Sequence, residues 1–202
     1  MRKFVKKCLA TTIGFISLAN IAYGADEFMA LTGQTSQPIG HYEFCQRNKE
    51  LCSIRNKNLK PVHLTKKKWE LIQNINQSVN ARIIPATDME VYGQEEYWAY
   101  PVDAGDCEDY VLQKQLELNQ KGFPMSSLLI TVVRKPNGEG HAVLTVRTTS
   151  GDLVLDNLRD EIYLWKDTEY TYLKRQSEEF TGRWIGIEQH DNIVVSSVEK
   201  QN

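Results

Sequence analysis

Three residues in this chain have the types and the order to do nucleophilic chemistry. Cys107 sits in Gly105-Asp106-Cys107-Glu108-Asp109-Tyr110, where a helix is expected to begin. A helix N-terminus presents unpaired N–H groups and the positive end of a dipole, which favours a thiolate. Gly105 permits a tight entry and the close approach of another backbone. His141 opens a β-rich run after an Asn137-Gly138 turn, and Asp156 lies near the end of the next such run. With the tip of that second hairpin at Thr149-Ser150, His141 faces Leu158. Asp156 is then its diagonal neighbour on one sheet face, within side-chain reach. A cysteine packed against that face would complete nucleophile, base and orienting carboxylate. A buried inert cysteine is the ordinary alternative, but the polar neighbours here suit it poorly.

Asp106, Glu108 and Asp109 crowd three negative charges around a thiol that has to ionise. Like charges raise a thiol pKa and oppose the helix dipole. A hard cation such as Ca²⁺, which prefers carboxylate oxygens, would neutralise that field, making all three residues candidate ligands. Equally, acidic residues are favoured at a helix N-terminus with no metal at all. His41, His63 and His190 have no metal-site spacing and read as surface or internally satisfied histidines. Trp98 and Tyr100 could line a groove, though aromatics before a buried helix more often belong to a core.

The elements that must carry these residues follow from patterning. Residues 64–80 read as a helix, with Thr65 as N-cap and Trp69, Leu71, Ile72, Ile75 and Val79 as its apolar face. Residues 81–101 read as irregular. A second helix is expected over 106–121, with Val111, Leu112, Leu116 and Leu118 inward and Gly122 as its stop. Residues 128–134 and 141–147 form a hairpin, 153–156 a third strand, and 170–175 and 183–188 further strands. Helices first and an antiparallel meander afterwards predict an α+β fold.

The 202-residue chain is 41% hydrophobic and 25% charged, enough for one domain with a real core. Arg2, Lys3, Lys6 and Lys7 precede an apolar run from Leu9 to Tyr23, and Ala22-Tyr23-Gly24 offers a cleavage site. Residues 1–24 therefore read as a cleaved export signal rather than an anchor, the run being short for ~30 Å of hydrocarbon. Residues 25–40 read as a flexible lead-in and 41–202 as a single domain. Cleavage removes four positive charges and no negative ones, leaving 20 basic against 26 acidic residues. That balance argues against nucleic acid or a membrane surface as partner.

Processing also leaves Cys45, Cys52 and Cys107, an odd count that suggests one pair and one free thiol in an oxidising compartment. Cys45 and Cys52 are the natural pair. One unbroken helix would hold them ~10 Å apart, so a bridge needs the chain to turn near Asn48-Lys49. Two reduced thiols on one helix face are the alternative.

Trp98-Ala99-Tyr100-Pro101, the cysteine block, Gly140-His141-Ala142-Val143-Leu144 and Val154-Leu155-Asp156-Asn157 together resemble the bacterial transglutaminase-like cysteine proteinase family. Asn80, Ile83, Asp88 and Tyr92-Gly93 also fit, and the similarity spans roughly residues 40–190. The resemblance implies a papain-like, transglutaminase-like core in which Cys107 attacks, His141 is the base and Asp156 orients it. It further implies a periplasmic endopeptidase with a protein substrate, such as a large surface adhesin, and an inner-membrane regulatory receptor. Calcium dependence, with Asp106 and Glu108 at matching positions and Asp109 beside them, is part of the same expectation. Transfer to an amine, or an inactive binding module, remain the alternative functions.

Overall fold

A computed structural model of the chain describes residues 27–188; the expected export signal and His190 lie outside them. Gly138 carries φ +90°, the left-handed conformation of the Asn-Gly turn, and joins β4 (Leu128–Arg134) to β5 (Gly140–Thr148). A second hairpin with its tip at Thr149-Ser150 leads to β6 (Gly151–Leu155), paired Leu144 to Leu155 and Thr148 to Gly151. The meander ends in β7 (Tyr163–Leu164). The chain then returns to lay β8 (Thr171–Gln176) on the free side of β4, with β9 (Trp184–Ile187) beyond it. A further strand, β1 (Leu31–Thr35), closes a seven-stranded antiparallel sheet of order β1-β9-β8-β4-β5-β6-β7.

The lead-in therefore differs from the expectation of a flexible 25–40. Besides β1 on β9, the Met29 N–H donates to Asp152 Oδ2 at 3.0 Å, and Met29 is buried. The strand is nearly all exposed, so it has no apolar alternation to announce it. The domain accordingly starts before residue 41. A short helix, α1 (Ile39–Arg47), follows directly.

Two longer helices cover one sheet face. In α2 (Lys66–Arg82) the Thr65 hydroxyl accepts the Lys68 N–H, the expected cap, and Ile72, Ile75 and Val79 are buried. The other is α4 (Cys107–Gln120), which ends before Gly122 at φ +90°. Val111, Leu112 and Leu118 pack with Ile130, Ala142, Leu144, Val146 and Leu155. Each of the buried Val, Leu and Ile side chains contributes about 1.5–3 kcal/mol of transfer free energy. Gln115 anchors the same helix through polar bonds, donating to Leu128 O (2.8 Å) and Gln176 Oε1 (3.0 Å). The opposite face, with Val133, Val143 and Val154, is covered by Met29, Trp165, Tyr170 and Tyr172.

Residues 81–101 are less irregular than their composition suggests. They contain β2 (Ile84–Pro85), which pairs in parallel with β3 (Ala104–Gly105), and α3 (Asp88–Tyr92). Thr87 and Glu90 form a reciprocal capping box that starts α3.

Cys45 and Cys52 are disulfide-bonded with Cα atoms 5.5 Å apart, because α1 stops at Arg47 and the chain turns at Asn48. His41 lies in the core beside this bridge and accepts the Trp184 indole N–H at 3.1 Å. Burial lowers its pKa to about 4. Trp98 is also core, buried against Gly40. Replacing Cys45 and Cys52 by alanine should cost about 2–3 kcal/mol in urea unfolding, the loop-closure value for so short a ring. An unchanged midpoint would show that the bridge adds nothing to stability.

Candidate active site

The register of β5 against β6 decides where two of the three expected residues meet. His141 and Asp156 lie just beyond the paired stretch, and His141 Nε2 bonds Asp156 Oδ1 at 2.9 Å. Asp156 is almost fully buried and accepts the Leu158 N–H (3.0 Å) and the Tyr170 hydroxyl (2.5 Å) as well. Arg159 Nε stands 3.7 Å from its Oδ2. Burial alone would raise the Asp156 pKa, but the His141 and Tyr170 bonds outweigh it and hold the carboxyl below its ordinary value. The histidine ring packs edge-on to Tyr170 at 5.6 Å. With Nε2 engaged by the carboxylate, Nδ1 is the nitrogen left to act as base.

Cys107 begins α4, with Asp106 as the N-cap residue. The helix packs on the Ala142 and Leu144 face, whereas His141 and Asp156 keep company with Tyr170 on the other side. Cys107 thus packs with the helix-side core and not against Tyr170, a departure from the expectation that the cysteine would pack on the sheet face shared by His141 and Asp156. The link is the Ala142 N–H, which is directed at Cys107 Sγ and favours its ionised form. Ala142 adjoins His141, so the strand start presents a base and an N–H donor together.

The rest of the thiol's environment opposes ionisation. Sγ donates to Glu108 Oε2 at 3.0 Å. Burial first, then the Glu108 carboxyl, pushes the Cys107 pKa well above that of a free thiol. Burial and the neighbouring Asp106 raise Glu108 in turn to about 9. Asp106 is shifted upward too, chiefly by burial, as is Asp88.

Asp88, Asp106 and Glu108 converge, with one oxygen from each within 4.8 Å of the others. The short β2–β3 pairing is what brings this about, setting the start of α3 beside the start of α4. Asp88 Oδ1 and Asp106 Oδ1 are buried without a hydrogen-bond partner. Three hard oxygen donors, two of them carboxylates with an orphaned oxygen, fit a calcium-sized cation. Asp109, expected in this set, is not part of it. Its Oδ1 accepts the Ala99 N–H at 2.8 Å, and its side chain lies over Gly105, where a Cβ would come within 2.4 Å of Oδ2. Burial lifts its pKa to about 7. It ties the 99 segment to the helix start instead. Asp88 takes its place among the converging oxygens, and the Thr87–Glu90 capping box is the sequence signal that locates it.

Because folding raises the Glu108 pKa, the protonated carboxyl is the stable form, and its contribution is lost as pH climbs through the folded value. In chelating buffer, Glu108→Gln should therefore gain Tm relative to wild type as pH rises from about 4.5 to about 9. Thermal melts at matched pH read this difference; a gap that does not change with pH would contradict the assigned burial of charge.

The chain matches known proteins. Residues 31–192 match the family described as bacterial transglutaminase-like cysteine proteinase, BTLCP. No curated protein sequence matches the chain. Among solved structures, calcium-bound LapG of Legionella pneumophila is similar at 23% identity and TM-score 0.50, over 74% of this chain and 81% of that one. EGTA-treated LapG is similar at 21% identity and TM-score 0.50, over 79% and 87%. These likenesses concern the fold, an α+β transglutaminase-like core; the family match extends over most of the sequence. This chain is a cysteine peptidase and belongs to the bacterial transglutaminase-like cysteine proteinase family.

Proposed function

We propose that this protein is an exported, periplasmic endopeptidase that cleaves a protein substrate through Cys107, His141 and Asp156. The observation that carries the reading is the meeting at the start of β5: a His141–Asp156 pair at 2.9 Å beside the Ala142 N–H directed at a helix-terminal thiol. His141 takes the thiol proton, Cys107 attacks a peptide carbonyl, and the amine leaves with a proton returned by His141. Water activated by the same imidazole then hydrolyses the thioester. The Cys107 backbone N–H, free at the helix start, is suited to stabilise the oxyanion. Tyr170, Leu158 and Arg159 fix Asp156, so the imidazolium formed in each step keeps its counter-charge.

Asp88, Asp106 and Glu108 would hold Ca²⁺. The ion would supply positive charge beside the thiol and take up the Glu108 lone pairs that now receive the S–H. The basic and apolar leader supports export, and the Cys45–Cys52 disulfide suits an oxidising compartment. By family likeness the substrate is a large surface adhesin, and an inner-membrane receptor restrains the enzyme. Comparing protein N-termini in cells with wild-type and Cys107→Ala enzyme tests the substrate directly; an unchanged set would remove the proteolytic reading.

Single replacements Cys107→Ala, His141→Ala and Asp156→Asn should each abolish most turnover with the fold intact. Double mutants should be barely worse, because the three act as a unit. Wild-type cleavage by Cys107→Ala would sink the assignment.

A calcium chelator should suppress turnover and lower Tm, and Ca²⁺ should restore both while Mg²⁺, which dehydrates reluctantly, should not. Asp88→Asn and Glu108→Gln should raise the Ca²⁺ concentration needed. Full activity and an unmoved Tm in chelator would eliminate the cation.

A further inference from the structure

The carboxylate bonded to His141 sits on a loop without regular structure, residues 156–162, between β6 and β7. Backbone carbonyls outside a ladder need donors from elsewhere. Two asparagines of α2 supply them. Asn80 Nδ2 donates to Asp156 O (3.0 Å), Arg159 O (3.1 Å) and Asp160 Oδ1 (2.9 Å). Asn76 Nδ2, one turn earlier, donates to Asp160 O (3.1 Å) and Arg159 O (3.3 Å). Spaced i and i+4, the two share one side of the helix. Asparagine is a poor residue for a helix interior, since its amide competes with the backbone, and Asn76 is fully buried. The bonds to the loop offset that cost.

The same end of α2 holds the helix that bears the nucleophile. Three residues after Cys107, the Tyr110 hydroxyl donates to Ile83 O at 2.5 Å, and Ile83 is the C-cap residue of α2. Asn80 stands three residues before that carbonyl. Within about one turn, α2 is therefore bonded both to the start of α4 and to the Asp156 backbone. Other partners of the carboxylate anchor it less firmly. Leu158 and Arg159 belong to the loop and would move with it. Tyr170 comes from beyond the loop but holds only the carboxyl group, through Oδ2. Of the two asparagines, Asn80 is the one that bonds Asp156 itself.

We propose that Asn80 is a positioning residue for hydrolysis: it ties the Asp156 backbone to the end of α2 that also holds α4, and so keeps the carboxylate on His141. The inference rests on the proposed roles of Cys107, His141 and Asp156. Asn76 holds the far end of the loop and serves the fold.

The test follows hydrolysis of p-nitrophenyl acetate, an activated ester that acylates nucleophilic thiols, by the mature, calcium-supplied protein. Tm is read on the same samples. Asn80→Ala should lower kcat about tenfold or more with KM within about twofold, whereas Asn76→Ala should lower kcat less than about threefold. Both should lose Tm, since each removes bonds to the loop. Asn80→Leu, which keeps the bulk but not the amide, should behave like Asn80→Ala. In the Asp156→Asn background, Asn80→Ala should cost less than about twofold in kcat, because the group it acts through has already gone. A merely structural asparagine would cost the same factor in both backgrounds, or would track Tm just as Asn76→Ala does. Either result overturns the proposal, as does wild-type kcat in both Asn80 variants or failure of both to fold. Turnover that persists in Cys107→Ala would instead overturn the underlying assignment of the nucleophile.

Discussion

Buried negative charge around one thiol is the constraint that organises this molecule. Glu108 and Asp109 lie within the first turn of α4, Asp106 stands at its N-cap position, and Asp88 is delivered from α3. Such a cluster is tolerable only if protons or a cation neutralise it, and burial raises the pKa of each of the four. Protonated, the cluster is compatible with a neutral thiol that donates to Glu108. Neutralised by a metal, the same oxygens no longer need that proton, and the helix dipole and the Ala142 N–H are free to favour thiolate. On the proposed calcium reading, metal occupancy would thus set the strength of the nucleophile.

Around this cluster the fold solves a positioning problem with few rigid pieces. The register of the β4–β5–β6 meander sets His141 against Asp156, since a one-residue slip would move either side chain to the other face. The α4 helix is fixed to the same strands by its apolar stripe and by Gln115. What remains is the two-residue β2–β3 pairing, which joins the Asp88 segment to the Asp106 segment. It is short because it only has to match two loop ends.

Much of this was legible. The Asn137-Gly138 turn and the alternation of β4 and β5 gave the hairpin, and the Thr149-Ser150 tip gave the register that pairs His141 with Asp156. The boundaries of α2 and α4 fell within a residue or two, because Thr65 and Gly122 punctuate strong apolar periods. Illegible were β1, which is polar and exposed, and the β2–β3 pair, which is too short for any period to show. Asp109 was misplaced for a different reason. Its carboxylate accepts the Ala99 N–H and lies over Gly105, a tertiary engagement that a run of acidic letters does not disclose.

Lys114 illustrates the deeper limit. Flanked by Gln113 and Gln115 in the sequence, it reads as an ordinary solvated residue on a polar stripe. Tertiary placement reverses that meaning, because α4 is enclosed by α2 on one side and β4 and β5 on another. A helix so enclosed has no exposed residue over 107–115, where Glu108, Asp109, Lys114 and Gln115 are all buried. Periodicity assigns polar residues to water by default and fails where a helix is enclosed. The polar residues of such a helix are then informative in themselves: each must be satisfied by a partner or retained for its chemistry. Gln115 belongs to the first kind, through its bonds to Leu128 and Gln176. Glu108 belongs to the second, its carboxyl accepting the Cys107 S–H, while Lys114 is buried with no hydrogen-bond partner among the described residues.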